Sequence, residues 1–333
     1  MMLRLAAILC GAAVVLAGVV VLARARLASE QASLEYRMLD PGDIPASIAL
    51  GPDGSVWFTL DSSDAIGLLR GGQIQKIKRG GETLEALGIA VDDGGAWLTD
   101  ITGQAIAHIA PDGSRDEVRI PGPLAQLGRL ALAPDGAVWF ADSWSNSITR
   151  VRNHQLEPHP LAESNAAPFG VAVAGDGTVW ATLQIANKLT RISPDGVATE
   201  FDVATRNATP TDVAVDASGG VWFTELRGNK IGHFAGNRFS EIELPDAASG
   251  LTSLSIAPDG SVWFTELRRH SLGRLRNGSL TEFALDRADA RPFSVVVSDS
   301  GDVWYVDLSG WIGKLPAARA QADPINLLAW LRT

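Results

Sequence analysis

Apolar residues in this chain fall into short β-branched and aromatic runs, such as "SVWFT", "AVWFA", "GVWFT" and "DVWYV", separated by glycine turns at regular intervals. These runs have strand length and are too short and too regularly interrupted for helices. Their tryptophans, Trp57, Trp97, Trp139, Trp180, Trp222, Trp263 and Trp304, are spaced by 40, 42, 41, 42, 41 and 41 residues. Three residues before each stands a glycine, Gly54, Gly94, Gly136, Gly177, Gly219, Gly260 or Gly301, preceded by Asp or Ser. Asp-Gly and Ser-Gly pairs make tight hairpins, because glycine takes positive φ without a steric penalty. An apolar run such as "GVAVA" or "SLSIA" precedes each turn, and nine residues after each Trp comes Ile or Leu (Ile66, Ile106, Ile148, Leu189, Ile231, Leu272), with Ile312 at eight. A further strand like "TEF" (Thr199 to Phe201) closes most copies. Seven units of four short antiparallel strands with a period near 41 predict an all-β, seven-bladed β-propeller.

A ring must close. The last unit has no fourth strand after "IGKLP" (Ile312 to Pro316), and "LEYRML" (Leu34 to Leu39) matches the missing element. The N-terminal strand is therefore expected to complete blade seven as its outer strand, giving a ring over residues 33–316 with no unpaired terminal blade. Ahead of it, Leu5 to Ala23 is an uncharged apolar run of 19 residues between Arg4 and the pair Arg24 and Arg26, long enough to span a bilayer. Residues 1–28 are expected to act as a signal anchor, or as a cleaved signal if "ARA" at Ala23 to Ala25 is cut. Either way the ring is expected outside the cytoplasm, periplasmic or at the cell surface when tethered and secreted when cleaved. The tail, residues 317–333, contains "DPINLLAWLR", which predicts a short amphipathic helix starting at Asp323 and Pro324. Cys10 is the only cysteine, so no intramolecular disulfide forms. A net charge of −10 argues against nucleic acid or an anionic lipid surface as partners of the ring, which is expected to be monomeric.

Strand alternation identifies a functional face. The Trp strands return to the face that carries the blade-to-blade connections, and the Asp-Gly turns line the other. Three residues after each Trp come Leu60, Asp100, Asp142, Leu183, Glu225, Glu266 and Asp307. Five carboxylates around a channel mouth would hold a divalent cation such as Mg2+ or Ca2+, with Glu225, Glu266 and Asp307 as ligands, or would receive a cationic small molecule, peptide or protein. The alternative is pairing with arginines such as Arg227, Arg268 or Arg291, or plain solvation. Trp144 and Trp311 fall in loops of the same face, where they either stack a ligand or pack across a blade boundary. His270, four residues after Glu266, is the one histidine in a loop of this face, a candidate base with Glu266 beside it, or simply a turn residue.

Repeated "PDGSVWFTE" followed by "IG" and "TEF" resembles the streptogramin B lyases, also called virginiamycin B lyases, over about Leu34 to Pro316. The resemblance implies a seven-bladed propeller and a magnesium-dependent elimination that opens the ester of a cyclic depsipeptide antibiotic. It implies a metal polarising the ester carbonyl while a histidine removes the adjacent carbon-bound proton. Those lyases carry "PHAI" and "EPHGI" at the start of the inner strands of blades six and seven, and a glutamate after the last Trp strand. Here the segments read "LTSLSI" (Leu251 to Ile256) and "RPFSVV" (Arg291 to Val296). Thr252 and Phe293 stand at the histidines, Arg291 at the first glutamate, and Leu308, next to Asp307, at the last. Phenylalanine cannot take a proton and arginine cannot bind magnesium, so the resembling fold does not carry that chemistry at these positions. Blades two and three also resemble NHL repeats, which mostly serve binding. The sequence therefore supports an exported binding propeller, with a lyase of altered substrate range and a gluconolactonase-type, metal-dependent hydrolase as alternatives.

Overall fold

The computed structural model describes residues 32–61, 63–78, 86–122 and 126–322, which form seven four-stranded antiparallel sheets. Blade one runs from the axis outward as Ile44–Leu50, Val56–Asp61, Ala65–Arg70 and Gln73–Lys78, and the same meander repeats as far as Leu251–Ile256, Val262–Glu266, Ser271–Arg276 and Ser279–Ala284 in blade six. Blade seven is Pro292–Val297, Val303–Asp307 and Trp311–Leu315, completed by Leu34–Arg37 with Leu34 opposite Lys314 and Tyr36 opposite Ile312. The first strand of the ring thus pairs with its last, as the sequence predicts.

The glycine turns behave as expected, with Gly54 at φ 78° and Gly260 at φ 79°. In blade two the positive φ moves one residue on, to Gly95 at 150°, since "DDGGAW" offers two glycines in a row. The "IG" glycine has a different task. A Cβ on Gly232 would lie 2.1 Å from the Phe223 ring, and one on Gly67 would lie 1.9 Å from Phe58, so the aromatic after each of these tryptophans lies flat on bare backbone of the next strand. Gly232→Ala should therefore destabilise by about 1–3 kcal/mol, the usual cost of overpacking. A thermal melt matching the parent would show that Phe223 moves aside freely.

Among the described residues the core is divided into seven clusters, each shared by two adjoining blades, for example Trp263 and Leu272 of blade six with Val295 and Tyr305 of blade seven. Packing between blades, not a central core, holds the ring. After blade seven the described chain makes one helical turn, Ala317–Ala320, with Ala320 buried in that last cluster and its carbonyl accepting from Arg274. The segment Leu5 to Ala23 and the tail from Asp323 lie outside the described residues. Among the described residues no helix is long and apolar enough to cross a membrane.

Candidate functional site

In six of the blades the inner strand shifts register near its start, and in five of the seven the backbone N–H at that level donates to a threonine two residues past the blade's Trp: Ser47 to Thr59 (2.9 Å), Gly88 to Thr99 (2.9 Å), Gly170 to Thr182 (2.8 Å), Asp212 to Thr224 (2.9 Å) and Ser253 to Thr265 (3.1 Å). Blade three has Ala141 in the threonine position, and there the inner strand carries Arg129. The Arg129 guanidinium reaches past blade four to Asp212 of blade five (3.1 Å) and donates to the Thr252 carbonyl of blade six (3.1 Å). The second Asp212 contact is the Leu254 N–H, at 2.9 Å. This bar closes the centre of the ring. Between it and the Asp-Gly turns lies an axial cavity of about 1020 Å3, walled by small residues such as Ala49, Ala90 and Ala131 and rimmed by Asp93 and Asp299. The repeat pattern hid this bar, because Arg129 and Asp212 occupy a position filled by Gly or Ser in the other blades. The non-repeating residue within a repeated slot was the available signal.

The five carboxylates do not form an open ring. Asp100, Glu225, Glu266 and Asp307 are fully buried and Asp142 nearly so. The reason is their place at the last residue of the second strand, where each side chain folds into its own hairpin. Asp100 accepts from the Gly103 N–H (2.7 Å) and pairs with Arg115 (3.1 Å). Asp142 accepts from the Trp144 N–H (3.0 Å) and the Ser145 hydroxyl (2.7 Å). Asp307 accepts from the N–H groups of Arg291 (2.9 Å) and Ser309 (2.8 Å) and pairs with Arg287. Glu266 accepts from the Ser271 hydroxyl at 3.0 Å, and among the described residues neither oxygen of Glu225 has a hydrogen-bond partner. Burial first, and then the negative charge of Glu241, push Glu225 up to about 8. Burial and then Glu282 push Glu266 up to about 6. For Glu241 burial is outweighed by hydrogen bonds from Thr205 and Lys230, which hold it below the ordinary range. Glu225 therefore keeps its proton at neutral pH beside an ionised Glu241.

The expected metal set is not assembled. Glu225, Glu266 and Asp307 stand in three different blades, and among the described residues no three His, Cys, Asp or Glu side chains could hold a metal ion. The positions matched to the lyase machinery do not fit magnesium either. The Thr252 hydroxyl donates to the Phe293 carbonyl of blade seven (2.6 Å) and meets the Thr265 hydroxyl at 2.9 Å, while the Leu308 N–H donates to the Arg291 carbonyl (3.0 Å). The first of these contacts ties blade six to blade seven, and the other two lie within a single blade.

His270 is a turn residue. Its φ of 56° matches Asn146 (52°), Asn187 (58°) and Asn229 (54°), each seven residues after its blade's Trp. The asparagines bridge their hairpin to the connector leading into the next blade, as Asn187 does with Thr205 (2.9 Å) and Ala208 (2.7 Å), and His270 Nδ1 contacts the Ala290 carbonyl in the same way. The left-handed conformation explains why Asn recurs there. That recurrence was visible in the aligned repeats. Trp311 is not in a loop but begins a strand, held between the guanidinium groups of Arg287 (4.7 Å) and Arg37 (5.9 Å). Trp144 is half exposed on its hairpin tip, and Arg291 is exposed in the connector into blade seven. A set of residues missed from sequence lies in the fourth strands. The "TEF" glutamates Glu200 and Glu241 accept from backbone N–H groups of the connectors entering their own blades, Ala162 (2.9 Å) and Thr205 (2.8 Å).

A model of the virginiamycin B lyase family matches residues 16–249. A virginiamycin B lyase of Nocardia farcinica is 30% identical over 164 residues, 49% of this chain and 56% of that protein, so the match spans little more than half of that relative's length. Among solved structures, a catalytically inactive virginiamycin B lyase variant from Staphylococcus aureus with quinupristin has a TM-score of 0.80 at 22% identity, covering 85% of this chain and 98% of that one. A streptogramin B lyase structure has a TM-score of 0.81 at 24% identity, covering 85% and 96%. At these identities the structural likeness speaks for the fold.

Proposed function

This chain belongs to the virginiamycin B lyase family, and from that premise we propose that it is an exported, membrane-tethered propeller that binds a small molecule, peptide or protein on the face of the second-strand ends, without the ring-opening chemistry. The observation that carries this reading is Thr252. Elimination next to an ester needs a base within reach of the carbon-bound proton and an electrophile on the carbonyl. Thr252 stands where the resemblance puts a histidine, and its hydroxyl is committed to the Phe293 carbonyl and the Thr265 hydroxyl. Phe293 and Arg291 supply neither a base nor a ligand for a cation, and His270 is fixed to the Ala290 carbonyl. A fold carries its relatives' chemistry only where the site residues are kept. Export and tethering rest on the uncharged run Leu5 to Ala23 and its flanking arginines.

The test is to incubate the full-length protein, in detergent, with virginiamycin B and magnesium and to follow the antibiotic by mass spectrometry. The intact ring should persist as it does with magnesium alone. Linear product formed faster than in that control would overturn the reading.

A further inference from the structure

On the face of the second-strand ends, the second residue of each hairpin tip occupies an equivalent place in every blade. In blades three to six this residue is Trp144, Ile185, Arg227 and Arg268. All four are exposed, Trp144 by 51% and Ile185 by 65%. Two apolar side chains on adjacent blades are thus followed by two cationic ones on the next two. The arginine half is extended by Arg206 and Arg291, exposed in the connectors into blades five and seven.

Of the carboxylates near these tips, Glu225 and Glu266 are buried, Asp246 is paired with Arg269 (2.6 Å), Glu163, Glu200 and Asp202 share Lys188, and Glu243 is exposed. Among the described residues Arg206, Arg227, Arg268 and Arg291 form no ion pair, although the chain as a whole carries a net charge of −10. Exposed guanidinium groups without partners, on blades that follow an exposed isoleucine and tryptophan, are the composition of a binding anchor.

We propose that this arc seats an acidic peptide segment of a partner protein, with apolar side chains against Trp144 and Ile185 and carboxylates on Arg227 and Arg268. The proposal rests on the reading that this face binds rather than cleaves. A uniform polyanion would use only half of the arc. Ile185 offers an aliphatic surface, which suits an apolar side chain better than a sugar ring.

The test uses full-length protein in detergent and a fluorescein-labelled synthetic peptide in which two leucines precede a run of glutamates, followed by anisotropy at low and high salt. Controls are the same peptide with glutamine for glutamate, one with serine for leucine, and a glutamate homopolymer. The acidic peptide should bind, and binding should weaken about tenfold or more at high salt and when Arg227→Glu and Arg268→Glu are combined. Trp144→Ala should weaken it severalfold, and Arg70→Gln, on the opposite face, should leave it unchanged. Arg227→Gln with Arg268→Gln provides a milder pair that separates loss of charge from reversal. Equal binding of the glutamine peptide would overturn the acidic partner while the binding reading stands. Equal binding of the homopolymer, or indifference to Trp144→Ala, would overturn the two-part arc. Absence of binding by every peptide would overturn the proposal, whereas the binding reading itself stands or falls separately on the appearance of linearised antibiotic.

Discussion

Replacing Arg287 with alanine will cost about 3–5 kcal/mol of folding stability, the usual result of removing one partner from a buried ion pair. Arg287 lies in the connector into blade seven, and its Nε meets both carboxylate oxygens of Glu35 at 3.2 Å. Its other nitrogens reach Asp307 and the Ser309 hydroxyl (2.8 Å), and the guanidinium stacks on Trp311 with 4.7 Å to the ring centroid. Glu35 belongs to the N-terminal strand and also accepts from the Tyr305 hydroxyl at 3.1 Å. Without Arg287, the buried Asp307 and the half-buried Glu35 lose their shared cation, and the strand that closes the ring loses its side-chain anchor. Arg287→Lys will recover little, since a point charge cannot span Glu35, Asp289, Asp307 and Ser309 as a planar fork does. Urea denaturation gives the loss, and limited proteolysis should release the segment around Leu34–Arg37 early. The contrast is Arg70→Ala, whose exposed partner Asp53 makes it worth under about 1 kcal/mol. An Arg287→Ala protein as stable as the Arg70→Ala protein would remove the clasp from the account of closure.

The second expectation concerns pH. Glu225 is raised from 4.5 to about 8 in the folded protein, so the fold holds a proton there that the unfolded chain releases. The associated stability is complete below about pH 4.5 and is lost as pH rises towards 8. Each pH unit in that window is worth about 1.4 kcal/mol, so the loss reaches about 5 kcal/mol above it. Glu266, raised to about 6, adds a smaller loss of the same sign between 4.5 and 6. The lowered aspartates Asp53, Asp92, Asp135, Asp216 and Asp259 act in the opposite sense, contributing stability above their unfolded values that fades as pH falls through the lower folded ones. The parent should therefore be most stable in mildly acid solution. Glu225→Gln, which cannot ionise, should flatten the decline and leave the variant the more stable at pH 9. Parallel curves for parent and variant between pH 5 and 9 would show that Glu225 ionises in the fold at little cost.

Much of the fold was legible because its physics repeats. A Trp strand, a glycine turn and a bare "IG" backbone under an aromatic ring recur with one period, and the missing last strand identified Leu34–Arg37 as its replacement. The candidate site was less legible. Counting three residues past each Trp places Glu225 and Glu266 at the right end of the right strand, but alternation cannot tell a side chain that opens to solvent from one that folds into its own hairpin. Trp311 was assigned to a loop because the blade-seven hairpin is one residue shorter, which moves that residue into the strand. The Arg129 and Asp212 bar joins blades three and five through one departure in each, and a repeat consensus averages such departures away.

The clasp of the first strand also sets an order in time. Glu35 and Tyr305 are 270 positions apart, so the ring's first strand reaches its final neighbour only after the intervening blades have been made. Until then six blades and a part of the seventh wait with one bare edge, and the early strand waits with another. Contacts so distant along the chain form slowly, and an edge left waiting beside a second molecule can accept that molecule's first strand instead of its own. The ion cluster around Arg287 then serves as a lock that distinguishes a closed ring from an open one, and it closes equally well on an exchanged strand.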